Sequence, residues 1–316
     1  MTTTTTPMAS STAAGIRHPG GADYALLLLL SLGWGSSFLA IKIAVDHAMP
    51  PMTLAALRIA LGAAMLLSIA AIRGQSFPRL SHASGRRIWA RILFLGVVGN
   101  GLPFFLIAWG EQTTTSQLAG ILMATIPLMV VILAHFVTQD ERLSSAKLIG
   151  VALGFLGVAA LIGVDALRGL GEAVTGQLLI VAGCISYSLY GVGARKLPPL
   201  PAEMLIGSTL LAGFLALLPF WLVHDRPWEV AWNRSAVSAV AWLGLLSTGC
   251  GNLLYFLILR KVGAGFAALN NYLVPLMALA YGFLWLGERP HLNALAALLL
   301  ILAGLALPRI ATARKA

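Results

Sequence analysis

Charge is what this chain has least of. Asp, Glu, Lys and Arg make up 10% of its 316 residues, against about 25% in a soluble domain. Hydrophobic residues reach 59% and the mean hydropathy is +0.87, which excludes the soluble classes. Acid is scarcest of all: there are 11 Asp and Glu, each at the end of an apolar run or between runs. A GxxxxGK[ST] segment is missing, so the chain carries no phosphate-cradling ATPase loop of its own. Any transport would draw on a gradient unless a separate subunit supplied ATP. The clustered His, Asp or Glu that metal or acid–base chemistry needs are missing too. No cofactor is therefore expected, and the chain does not read as an enzyme. The two cysteines, Cys184 and Cys250, fall inside apolar runs as small apolar residues and are silent about redox compartment.

What remains is apolar and periodic. Runs at roughly 24–46, 53–72, 88–110, 116–138, 144–163, 175–195, 203–222, 236–259, 264–286 and 291–308 each approach the ~20 residues a hydrocarbon core requires. They predict an all-α integral membrane protein with ten transmembrane helices. The longest gaps, 73–87 and 223–235, are too short for a folded domain. Residues 1–22, rich in Thr, Ser, Ala and Gly, read as a disordered cytoplasmic tail. The run from Tyr24 is too long for a signal-peptide core and no A-x-A site follows it, so the first helix is expected to stay as an anchor.

The net charge of +10 is distributed by side. Fifteen cations fall on the side of the N-terminus: Arg17, Arg73, Arg79, Arg86, Arg87, Arg91, Arg142, Lys147, Arg195, Lys196, Arg260, Lys261, Arg309, Arg314 and Lys315. Arg168, Arg226, Arg234 and Arg289 fall on the other, while Lys42 and Arg58 lie within helices. By the positive-inside rule both termini are cytoplasmic, including the basic tail 309–316, and the protein is a multi-pass protein of the cell (inner) membrane. The basic excess is a topology signal and implies no nucleic-acid partner.

The second half repeats the first. At an offset of 148, Leu95-Gly96 matches Leu243-Gly244, Gly101 matches Gly249, and Pro127-Leu128-Met129 matches Pro275-Leu276-Met277. At 147, Glu141-Arg142 matches Glu288-Arg289 and Gly157 matches Gly304; near 153, Trp34 matches Tyr187 and Lys42 matches Arg195. Five helices carry the chain across the membrane, so a second copy of the unit enters inverted. The expected units are 23–163 and 175–308, with a substrate site between them near the midplane and alternating access as the mode of action.

The residues Trp34-Gly35-Ser36-Ser37-Phe38 followed by Lys42, then Leu57-Arg58, then Pro127 and Pro275 with an acid 14 or 13 residues on, and the Gly-rich fifth helix of each half, carry a resemblance. Together they resemble EamA-type transporters, the ten-helix branch of the drug/metabolite transporter superfamily. The resemblance spans about 24–308. It implies inverted five-helix repeats, a central cavity, and cargo drawn from small metabolites, commonly amino acids and often moving outward.

Polar content sorts the helices without that likeness, because a polar side chain in hydrocarbon must face protein or water. The second, fifth, seventh and tenth runs are nearly bare. The other six carry Trp34, Ser37, Asn100, Thr125, Tyr187, Tyr190, Asn252, Tyr255 and Asn271 at mid-depth, predicting a six-helix cavity wall with four outer helices. Trp34, Ser37 and Ile41 share one helix face, as do Thr248, Asn252 and Tyr255. The competing role for such groups is hydrogen bonding between helices. Pro127 and Pro275 would free a carbonyl one turn earlier beside the cavity, or simply kink their helices. Gly150 and Gly154 form a GxxxG pair, read as packing within the subunit, and the chain is expected as a monomer or homodimer.

Lys42 and Arg58 are placed one turn inside the non-cytoplasmic face, with Glu111 ending the third helix there. The trio reads as a gate, a docking site for a substrate carboxylate, or a snorkelling charge pair. Glu111, Glu141 and Glu288 are expected at hydrated interfaces in the charged form. Coupling through an acid at mid-depth is therefore excluded, and His135 reads as interfacial. The function indicated is a gradient-driven or facilitative carrier of small polar metabolites, with amino-acid export foremost. A lipophilic-cation exporter is the alternative within transport, and a lipid-translocating or structural subunit the alternative outside it.

Overall fold

The computed structural model describes residues 18–77, 81–137, 144–166 and 171–313. Most of the N-terminal tail, Glu141 with Arg142, and the last basic residues lie outside them. Ten helical rods account for nearly everything described: α1 Gly21–Asp46, α2 Pro51–Ile72, α3 Ala83–Gly110, α4 Ser116–Val137, α5 Ser145–Ala166, α6 Glu172–Ala194, α7 Ala202–Asp225, α8 Arg234–Val262, α9 Ala264–Leu286 and α10 Leu292–Ala313. Among the described residues nine are long and apolar enough to cross a membrane, and α10 carries a shorter apolar stretch, Leu292–Pro308. Helix is the only open-ended solution in hydrocarbon, where each backbone N–H must find its acceptor within the segment.

Local chemistry starts and stops the rods. Pro51 opens α2, where its missing N–H costs nothing. The side chain of Asn233 accepts from the Ala236 N–H at 2.8 Å and caps α8. Gly287, at φ 65°, ends α9 in a left-handed turn that only glycine adopts cheaply. α3 begins at Ala83, five residues before the apolar run, because the turn bearing Arg86, Arg87 and Arg91 is helical yet too polar for a hydropathy window to include.

The pairing of helices repeats with the sequence. α1 packs on α9 as α6 packs on α4; α8 packs on α1 as α3 packs on α6; α7 packs on α3 as α2 packs on α8. α2 with α7, and α5 with α10, pair across the two halves. Glycines allow the closest approaches. A methyl group on Gly150 would collide with the Gly304 carbonyl and the reverse, so the α5 glycines serve packing inside the chain. Two inverted five-helix repeats in an all-α membrane protein are thus the architecture.

One symmetric feature escapes a hydropathy reading. α3 widens to π-helix over Val97–Gly101 and α8 over Trp242–Cys250. Shifted by the repeat offset, the first falls inside the second. π-turns leave the regular ladder locally loose and recur at functional positions, and both lie at mid-membrane.

Candidate functional site

The interior side chains gather into two adjoining groups that meet on the widened stretch of α8. In the first, the Arg58 guanidinium lies 4.0 Å from the centroid of the Phe104 ring, and Arg58 Nε donates to Thr248 Oγ1 at 2.9 Å. Tyr187 sets its ring edge-on to Phe104, 5.8 Å between centroids. In the second, Trp34 stacks on Tyr255 at 5.5 Å, and its Nε1 donates to the Ser247 carbonyl at 3.0 Å. Asn252 donates to the Thr248 carbonyl at 2.7 Å. Tyr190 lies against Gly99, where any side chain would overlap its ring. Asn100 is buried with its amide nitrogen unpartnered, and Asn271 is half-buried. The surface clefts beside Trp232–Ala241 and Pro219–Glu229 touch none of these residues.

Arg58 is deeper than its sequence position suggested. It lies seven residues beyond Pro51, about 10 Å along the axis, two turns in rather than one, and its side chain reaches the mid-membrane Thr248. α2 is therefore no outer helix: its one charge points to the centre. α5 and α10 remain peripheral, flanking the cluster built from α4, α6 and α9. Among the described residues no carboxylate lies within ion-pair distance of Arg58.

Several polar residues instead tie helices together. Ser247 Oγ donates to the Gly33 carbonyl at 3.0 Å and Trp242 Nε1 to Ser36 Oγ at 2.8 Å, zipping α8 to α1. In the other half Ser186 Oγ donates to the Val98 carbonyl at 2.7 Å, joining α6 to α3 at the matching level. The Thr125 hydroxyl is occupied within its own helix. α4 breaks at Ala124–Thr125, just before Pro127. The carbonyls around that break are taken: Leu122 accepts from Thr125 Oγ1 at 2.6 Å and from Cys184 Sγ at 3.5 Å, and Ile126 accepts from Ser188 Oγ at 3.3 Å. Polar sorting misses Phe104, which is apolar; Thr248 already stands on the stripe with Asn252 and Tyr255, but its contact with Arg58 needs the tertiary fold.

At the end of the molecule carrying Asp46, Glu111 and Glu288, the expected link of the Glu111 carboxylate to Lys42 or Arg58 is absent among the described residues. Lys42 Nζ lies 3.1 Å from Asp46 Oδ1 and donates to the Glu111 backbone carbonyl at 3.0 Å. Nor does Glu111 lie at an exposed interface: it is 0% exposed, and both carboxylate oxygens are buried without a hydrogen bond from the protein. Next to it, Gly110 and Gly176 let α3 and α6 approach closely. Glu288 is also spoken for, since it accepts from the Ser116 N–H and hydroxyl, both at 2.9 Å, and from the Gln117 N–H at 3.1 Å. Among the described residues no group of His, Cys, Asp and Glu could hold a metal ion.

Ten spans in two matching halves around an interior of aromatics, hydroxyls and one guanidinium define a membrane carrier. The EamA-like transporter family model matches residues 23–163 and 174–308, and the chain belongs to that family. It is similar to the uncharacterized transporter YoaV of Bacillus subtilis, 26% identical over 88% of this chain and 94% of that one. The uncharacterized inner membrane transporter YedA of Escherichia coli is 26% identical over 83% and 81%. An uncharacterized transporter of Archaeoglobus fulgidus is 25% identical over 89% and 96%. Among solved structures, one crystal structure shares the fold with a TM-score of 0.67 over 94% of this chain and 99% of that one, at 23% identity.

Proposed function

We propose that this transporter is a secondary carrier of small polar metabolites working by alternating access, with amino acids as its cargo class and export as its direction. The observation that carries this reading is Arg58: a guanidinium at mid-membrane, bordered by Phe104 and Tyr187, with a hydroxyl and no described carboxylate as its partner. An isolated cation in hydrocarbon is costly, and a fixed one marks a place for an anionic group. Guanidinium binds carboxylate in a fork of two hydrogen bonds. The Trp34–Tyr255 stack and the amides of Asn100, Asn252 and Asn271 supply the apolar and polar wall for the rest of a small zwitterion. The same cation repels a lipophilic cation, which disfavours the drug-exporter reading.

The test is uptake and counterflow in proteoliposomes across an amino-acid panel, with lipophilic cations as competitors. Counterflow of at least one amino acid, unaffected by the cations, is expected; transport of the cations with none of the amino acids would overturn the proposal.

The charge asymmetry supports a location in the inner membrane with both termini cytoplasmic. Residues for checking this must be exposed, as Gln112 and Ser84 are and Thr114, 4% exposed, is not. In intact cells, a cysteine at Gln112 is expected to react with a membrane-impermeant thiol reagent and one at Ser84 only after permeabilisation; the reverse pattern would invert the topology.

A further inference from the structure

Glu111 is left out of every contact that should hold a buried carboxylate. It follows Gly110, the last residue of α3, and its N–H donates to the carbonyl of Ile107, a member of a buried apolar cluster from four helices that includes Ala44 and Val45 of α1, Leu54 of α2 and Val240 of α8. Neither carboxylate oxygen has a hydrogen-bond partner, and the nearby Thr114 hydroxyl, 4% exposed, has none either. The charged groups facing it are Lys42 and Asp46 of α1, Arg58 of α2 and Glu288 beyond α9. Glu172, at the start of α6, is exposed. Lys42, the one ammonium at hand, is held by Asp46 and by the backbone carbonyl of Glu111 instead.

An ionised carboxylate without water, hydrogen bond or ion pair is too costly to keep, and such a group takes up a proton instead. Burial accordingly holds the Glu111 carboxyl well above the usual carboxylate range. Lys42 and Arg58 pull it down, and Glu288 and Asp46 reinforce the rise.

We propose that Glu111 is a proton-binding site that latches this end of the carrier: closing the end forms the Glu111 O–H bond with one proton from the adjoining solution, and opening it returns that proton to the same side. The ionised carboxylate then has Lys42 within reach, since the ammonium already rests on the backbone carbonyl of the same residue. Because the proton enters and leaves on one side, the latch sets how readily the end opens and transmits no energy to the cargo. The sign follows from the raised value. The closed form keeps the latch's stabilisation below the carboxyl's open-state pKa and loses it as pH rises through the closed-state pKa. The part of the proposal that concerns a carrier rests on the transport reading above; protonation and opening do not.

The test uses the full chain in detergent with Cys184 and Cys250 replaced by alanine and a reporter cysteine at Met49, a residue 1% exposed within the same cluster. Labelling by a hydrophilic thiol reagent is followed against pH, and the infrared carbonyl band of protonated carboxyl groups is recorded. Glu111→Gln keeps the shape of the neutral acid and is expected to fold. Both proteins share the thiol's own ionisation, so the comparison is between their slopes. The parent is expected to gain up to about tenfold more labelling per pH unit between the carboxyl's open-state and closed-state pKa values, and to level off above the latter. Glu111→Gln is expected to lack that increment and the carboxyl band. Lys42→Met, which removes the tether of α1 to α3, is expected to label faster at all pH values. Equal slopes in parent and Glu111→Gln, or a carboxyl band at neutral pH that survives Glu111→Gln unchanged, would overturn the proposal. Neither readout needs a cargo, so an empty amino-acid panel would defeat the transport reading and leave this one standing.

Discussion

Replacing Arg58 with Gln is expected to lower the apparent affinity for carboxylate-bearing cargo by about 10- to 100-fold. Hydrogen bonds to a charged group are worth roughly 1.5–3 kcal/mol, and each 1.4 kcal/mol is about tenfold in a binding constant. Gln is shorter and keeps one amide donor group, but has neither the charge nor the fork. Arg58→Lys keeps the charge without the planar fork and is expected to recover only part of the loss. A structural role has a different signature. Arg58 also joins α2 to α8 through Thr248 Oγ1, so Thr248→Val separates the two functions. That variant removes the helix link and leaves the guanidinium in place. If Thr248→Val weakened cargo binding as strongly as Arg58→Gln, or if Arg58→Gln weakened an amide analogue of the cargo as much as the acid, docking of a carboxylate would be wrong. The readout is counterflow of acid and amide analogues in proteoliposomes at matched protein content.

The spans were legible because each must satisfy a length and an apolarity that the bilayer sets, and the repeat was legible because Pro and Gly leave marks that Leu and Ala do not. Partners were much less so. Lys42 has an acid one turn away at Asp46, and that i, i+4 pairing lies in the sequence itself. Shared placement at one membrane face points to Glu111 instead, and the fold gives Lys42 to Asp46 and to the Glu111 backbone carbonyl. Glu111 is buried beside the contact of Gly110 with Gly176, residues from different halves, and no local pattern announces it. Its one sequence trace is the five-residue turn to Ser116, too short to lift the carboxylate clear of the helix ends. The widened turns of α3 and α8 follow the matched glycines Gly96 and Gly101, Gly244 and Gly249. Matching glycines announce a shared constraint without saying which one. Polar sorting was too coarse in both directions. It counted Thr125 as wall although its hydroxyl closes on the Leu122 carbonyl, and it set α2 aside although that helix carries the mid-membrane cation.

Loss of the Glu288 carboxylate is expected to cost stability rather than cargo recognition. The left-handed turn at Gly287 brings the Glu288 N–H onto the Gly282 carbonyl at 3.0 Å, and the side chain then lies across the first turn of α4. There it accepts three hydrogen bonds from Ser116 and Gln117, whose backbone N–H groups are orphans of the helix start. A negative charge at that end also meets the positive pole of the helix. α9 belongs to the second repeat and α4 to the first, so this cap fastens the two halves at the end where Glu111 is buried. Ser116 is 0% exposed and Gln117 2% exposed, so little water stands ready to replace the carboxylate. Glu288→Ala leaves those donors unpaired at roughly 1–3 kcal/mol each and is expected to lower the detergent melting temperature by several degrees with reduced expression. Glu288→Gln retains one acceptor oxygen and is expected to fall between Ala and the parent while preserving counterflow in the protein that folds. Thermal melting of purified protein, paired with counterflow per folded molecule, separates the outcomes. If Glu288→Ala melted with the parent, the carboxylate would not be the fastener between the halves; if Glu288→Gln folded normally and lost counterflow, Glu288 would belong to the transport machinery instead.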